Sequence, residues 1–163
     1  MRPIVYLAGG INGLPDSECR DWRDEAKKRL QFTRDPMRRD YRGKEAENAA
    51  EIVRGDLVDI NESDVVLAMC PRPSWGTAME IFYSWLHRKP VIAVVPRIKD
   101  TSPWLRHHAT SLHESLEDAL NAIDPIGTPR PVWTCSECRH GNHQECKQFL
   151  AGDRCSCCGR NKP

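Results

Sequence analysis

Pro3-Ile-Val-Tyr-Leu-Ala-Gly-Gly10 is the stretch on which the fold turns. It is a short, continuous apolar run stopped by two glycines. A strand buried on both faces of a sheet reads this way when the chain turns sharply at its carboxyl end. With a single Arg ahead of it and so few apolar residues, it reads as a strand rather than a secretory leader. Asp64-Val-Val-Leu-Ala-Met69 and Pro90-Val-Ile-Ala-Val-Val95 repeat the pattern. Weaker strands are expected just before Thr33 and near Thr110–His113.

Helical patterns fill the intervals. Asp16-Ser17 offers N-cap oxygens to one helix in which Cys19, Trp22, Ala26 and Leu30 fall in register. Residues 33–43 are polar, broken by Pro36, and expected as loop. From Lys44 to Asn61 a second helix gathers Ala46, Ala49, Ile52, Val53, Leu57 and Ile60 on one face. The loop Cys70 to Gly76 leads to a third, where Ala78, Ile81, Phe82 and Trp85 share a face, and a last helix runs from Glu114 to Ile123. Strands alternating with helices predict an α/β, doubly wound parallel sheet with right-handed crossovers. Such sheets bind ligands beyond the carboxyl ends of their strands, where the strand order switches. Tyr6 to Asn12 and Cys70 to Glu80 are therefore the segments that matter.

Composition narrows the function classes. Lys+Arg is 24 against Asp+Glu 23, a net charge of +1, so no global basic field holds nucleic acid or an anionic membrane. With 39% hydrophobic and 29% charged residues the chain is neither disordered nor fibrous. No stretch approaches the roughly 20 apolar residues of a membrane span, and a cytoplasmic protein is expected.

Within the two segments, Gly9-Gly10-Ile-Asn12-Gly matches neither a dinucleotide nor a P-loop fingerprint and reads equally as a tight strand-to-helix turn. Glu80 stands among Ala78, Met79, Ile81 and Phe82, where a partly desolvated carboxylate serves as nucleophile or proton-transfer group. A first-turn Glu favoured by the helix dipole fits the same spacing. Asp56 lies on the helix that enters the third strand.

Taken in order, Val5-Tyr6-Leu7-Ala8-Gly9, Asp35-Pro-Met-Arg-Arg-Asp-Tyr-Arg-Gly43, Asp56 ahead of Ser63-Asp64, and Gly76-x-x-x-Glu80 resemble the nucleoside 2-deoxyribosyltransferase family, from about residue 3 to 123. The resemblance implies a flavodoxin-like five-stranded sheet and cleavage of the N-glycosidic bond of a 2'-deoxynucleoside or its 5'-monophosphate. It implies that Glu80 attacks the anomeric carbon, that Tyr6 orients that carboxylate, and that Asp56 handles proton transfer at the base. Those residue types suit the chemistry, since an oxocarbenium-like transition state needs a nearby carboxylate and an acid for the leaving group. Gly9, Ser74 and Gly76 are the implied substrate contacts, and Gly10 and Asn12 in the first loop offer backbone and amide donors beside them. Family members that prefer free nucleosides carry an acidic residue where this chain has Ser74; a Ser there looks like the 5'-monophosphate N-glycosidases. Those hydrolases place Ser and Arg in the first loop, where this chain has Gly10 and Asn12. Ser102-Pro-Trp-Leu-Arg106 matches the segment that reaches a neighbouring subunit's site, which implies a homo-oligomer; Ser102 before Pro103 is equally a helix N-cap. Trp22 and Trp75 suit base stacking or core packing.

Three modules follow: 1–124 as the α/β domain, 125–133 as a Pro-rich linker, and 134–163 as a Cys-rich tail. Cys135-Ser-Glu-Cys138 and Cys155-Ser-Cys-Cys158 are two knuckles with the spacing of a four-cysteine zinc-ribbon-like module. His143, Cys146 and Cys157 either complete a second zinc site or decorate the first. Zinc is expected as a structural ion, with no cofactor for the chemistry. Basic residues around the knuckles suit nucleic acid or a protein partner, and a purely structural staple equally. The alternative to an enzyme is a nucleotide-sensing module with the same fold, but such a module would be expected to have lost one of Tyr6, Asp56 and Glu80, and all three are present.

Overall fold

The computed structural model describes residues 2–123. The predicted linker and tail, with Cys135, Cys138, Cys155, Cys158, His143, Cys146 and Cys157, lie outside the described residues. Five strands, β1 (Ile4–Gly9), β2 (Phe32–Arg34), β3 (Val65–Met69), β4 (Val91–Val94) and β5 (Ser111–His113), pair in parallel in the order β2-β1-β3-β4-β5. That is the flavodoxin-like order, with its switch point between β1 and β3.

Alternation along the strands divides the core. Val5, Leu7, Val65, Leu67, Ile92 and Val94 point to one face, beneath Trp22 and Ala26 of α2 (Asp21–Arg29) and Ala119, Leu120 and Ile123 of α6 (Leu116–Ile123). Tyr6, Ala8, Val66, Ala68, Val91 and Ala93 point to the other, against Ile60 of α3 (Glu45–Asn61) and Ile81 of α4 (Trp75–Leu86). Leu105 of α5 (Pro103–His108) packs at the margin of that second layer. Both faces are covered, as an all-parallel sheet requires. None of the helices of the described residues is long and apolar enough to cross a membrane.

Four expectations need correction. The helix from Asp16 is two: α1 (Asp16–Cys19) and α2 break at Arg20, because the buried Arg23 guanidinium takes the Cys19 carbonyl. Leu30 already lies beyond α2, in extended backbone. Helix α3 packs on the sheet at its last turn, through Ile60, with Asp59 buried beside it against Arg38 and Arg39; Ala46, Ala49 and Val53 of its predicted inner face are exposed. In α4 the buried positions are Thr77, Ile81 and Ser84, whereas Phe82 faces outward with Met79 and Leu86. The stretch 33–43, expected as loop, also holds a 3-10 turn at Pro36–Arg39, capped by Asp35 accepting from the Met37 amide at 2.9 Å.

Candidate active site

Strand β1 delivers Tyr6 beneath the switch point, wholly buried. Its hydroxyl donates to Glu80 Oε1 at 2.6 Å. Glu80 is one turn into α4, whose register turns it toward the sheet. Burial raises the Glu80 carboxyl to about 7; the Tyr6 hydrogen bond and Arg23 pull it down, and the charge of Asp56 pushes it up. Tyr6 is itself held well above the usual phenol range, by burial first and then by Glu80 and Asp56, so it remains a donor.

Asp56 projects from the middle of α3. Burial raises its pKa, and a hydrogen bond from Arg39 opposes that rise, Nη2 to Oδ1 at 2.9 Å. Asp56 and Glu80 line one cavity of about 200 Å³ with Gly9, Gly10, Asn12, Arg39, Ser74 and Gly76. Gly9 is required by close approach, since a Cβ there would stand 2.8 Å from the Trp22 ring. A Cβ on Gly76 would meet open space within the cavity. Ser74 is the N-cap of α4, yet its side chain caps no amide; its Oγ accepts from Thr77 Oγ1 at 3.1 Å. The first amides of α4 have no partner within the helix, and the positive end of its dipole faces the cavity. Burial pushes the neighbouring Cys70 thiol up to about 12, so it supplies no thiolate here.

The first loop is held from behind. Arg23, fully buried, donates to the carbonyls of Gly9 at 2.8 Å and Leu7 at 3.3 Å, and its Nε lies 3.4 Å from Asp35.

Of the residues singled out from sequence, Tyr6, Gly9, Gly10, Asn12, Asp56, Ser74, Gly76 and Glu80 converge in or directly beneath this cavity. Ser102 does not. It lines a separate cavity of about 740 Å³ with Trp75 and Trp104 of the same chain. Trp22 is core, whereas Trp75 is 88% exposed. Arg39, Met37, Tyr41 and Ile52 also line the smaller cavity without having been singled out. Arg39 carried one readable signal, an Arg pair just after the Asp35-Pro36 cap with Asp56 and Asp59 a helical turn apart downstream.

The family model for nucleoside 2-deoxyribosyltransferases matches residues 5–144, past the boundary expected at 124. No curated protein matches the chain. Among solved structures, a 2-deoxyribosyltransferase from the psychrotolerant bacterium Bacillus psychrosaccharolyticus superposes with a TM-score of 0.59 at 18% identity, over 72% of this chain and 90% of that one. A conserved protein from Enterococcus faecalis V583 gives 0.53 at 15% identity, over 77% of this chain and 99% of that one. At these identities the likeness to the two structures speaks to the fold alone.

Proposed function

The chain belongs to the nucleoside 2-deoxyribosyltransferase family, and on that premise we propose that it cleaves the N-glycosidic bond of 2'-deoxynucleoside 5'-monophosphates through a deoxyribosyl-Glu80 ester. One observation carries the proposal: the Tyr6–Glu80 hydrogen bond of 2.6 Å, in a cavity that Glu80 shares with Asp56. Tyr6 engages Oε1 and leaves the other oxygen to attack C1'. As that bond forms, the C1'–N bond breaks, the base departs with its electron pair, and Asp56 supplies the proton the base takes up. A second base or water then attacks C1' and releases Glu80, with its proton returning to Asp56.

Preference for the monophosphate rests on Ser74. Its hydroxyl and the free amides at the start of α4 offer donors where a carboxylate would repel phosphate. Ser74→Asp is expected to shift preference toward free nucleosides by on the order of tenfold. The test incubates the protein with each deoxynucleoside and its 5'-monophosphate, with and without a second free base, and follows base release by chromatography. Release that is faster from nucleosides than from monophosphates overturns the phosphate reading, and wild-type release by Glu80→Gln overturns the chemistry.

Assembly with a second copy is part of the same proposal. Trp75, Met79, Phe82, Leu86 and Trp104 leave an apolar face open around the cavity that contains Ser102. A copy docked there brings Ser102 toward its neighbour's site. In the tail, Cys135, Cys138, Cys155 and Cys158 are proposed to hold one structural zinc, with His143, Cys146 and Cys157 as candidates for a second site. Elemental analysis of the full chain without zinc overturns that assignment.

A further inference from the structure

Arg39 is built into the site more firmly than a surface arginine. Its Nη2 lies 2.9 Å from Asp56 Oδ1 and 2.7 Å from Asp59 Oδ2, so one nitrogen bridges two carboxylates of α3. Asp59 is only 1% exposed and cannot yield, because Arg38 grips both of its oxygens, at 2.6 and 2.5 Å. Beneath the guanidinium lies Gly55. A Cβ there would stand 2.8 Å from Nε and 2.9 Å from Cζ of Arg39, so the plane rests on bare helix backbone. A glycine inside a helix is unfavourable unless something needs the space, and here the guanidinium does. Asp56 Oδ2 has no hydrogen-bond partner among the described residues.

We propose that Arg39, seated on Gly55 and anchored by Asp59, is a positioning residue that clamps Asp56 by Oδ1 and reserves Oδ2 for the leaving base. The inference rests on the glycosidic reading above and goes beyond it in giving Asp56 a fixed orientation and a fixed neighbouring cation. The ionisable groups around the clamp are Tyr6 from β1, Arg23 from α2, Arg38 and Tyr41 near Arg39 in sequence, Asp59 from α3 and Glu80 from α4. Asp40, Arg42 and Glu45 line the same cavity, with Arg42 bound to Asp40 at 2.6 Å. Among these, Arg39 lies against Asp56 and opposes the rise in its pKa.

Arg39→Gln is expected to lower kcat for base release on the order of 100-fold with little change in KM, because a misdirected acid slows the chemical step alone. Removing the cation beside Asp56 raises the pKa of that carboxyl further, so the limb of the pH profile that Asp56 sets moves to higher pH. Arg39→Lys keeps the charge and loses the fork; its profile stays in place while kcat recovers only in part. Gly55→Ala covers the case in which Arg39→Gln fails to fold. Alanine favours the helix, yet its Cβ displaces the guanidinium, so the melting temperature holds while kcat falls as in Arg39→Gln. A carbon-13 titration of the Asp56 carboxyl should show a higher pKa in Gly55→Ala than in wild type, with no substrate present. Folded Gly55→Ala with wild-type kcat and an unmoved Asp56 titration overturns the proposal. So does a kcat loss in Arg39→Gln with an unmoved pH profile, which would mark a merely structural role. Glu80→Gln run alongside separates the two levels: if it alone is inactive, only the Arg39 clamp fails, and if it is fully active, the glycosidic reading fails.

Discussion

The two faces of α4 differ less in apolarity than in what they meet. Toward the sheet the helix sets Thr77, Ile81 and Ser84, with Glu80 reaching Tyr6; away from it, Met79, Phe82 and Leu86 stand exposed. The inward face carries the charged residue and two hydroxyls, and the outward face carries the larger hydrophobes. Burial in this helix therefore follows partners. Glu80 is turned in because a phenol waits beneath it, and Ser84 can be buried because its hydroxyl donates to the Glu80 carbonyl at 2.6 Å.

The contrast breaks most sharply at Glu80. Glu80→Gln keeps the shape of the inner face and removes the charge, so base release should fall at least on the order of 1000-fold in a protein with unchanged circular dichroism. Its effect on stability has the opposite sign. Glu80 is held at about 7 against an ordinary 4.5, so between those values the folded protein binds more protons than the unfolded chain. Stability contributed by the protonated carboxyl is then lost as pH rises through about 7. Glu80→Gln should consequently be more stable than wild type at pH 8, by on the order of 2 kcal/mol, and no more stable below pH 4. Equal urea midpoints at pH 8 would show that the inner face tolerates its carboxylate at no cost.

Next in size is the packing difference. Ile81→Ala should cost about 3 kcal/mol in urea unfolding, whereas Met79→Ala, two residues away on the outer face, should stay within about 0.5 kcal/mol for the isolated subunit. Similar costs at the two positions would erase the distinction between the faces. Met79→Glu should weaken self-association on the order of 100-fold in sedimentation, if a second copy covers that face. The smallest effect is expected at Tyr6→Phe. Without the phenol the Glu80 carboxyl rises further, so the acid limb of the pH profile moves above about 7 and release at pH 7 falls about tenfold.

Much of the fold could be read from three apolar runs, because strands buried on both faces leave no alternation to misread. Tyr6, Asp56 and Glu80 were singled out from sequence through the family resemblance, and the switch between β1 and β3 brings the three side chains together. What escaped depended on long side chains reaching across sequence. The break at Arg20 needs the Arg23 guanidinium on the Cys19 carbonyl, and no local propensity encodes it. Arg39 sat in a stretch that looked like polar loop, and its meaning depends on Asp56, Asp59 and Gly55 in the next helix. The outer face of α4 was misassigned because periodicity counts hydrophobes without knowing which side has neighbours.

Arg23 carries a consequence for motion. One buried guanidinium joins the carbonyls of Leu7, Gly9 and Cys19 to Asp35, the residue that caps the turn presenting Arg39. Two irregular segments on opposite walls of the cavity thus share a single tether, and they cannot separate without breaking the buried Arg23–Asp35 ion pair. In native-state hydrogen exchange the amides around Gly10 and around Met37 should therefore open as one cooperative unit, with a common free energy closer to that of the sheet than to that of the outer turns of α3.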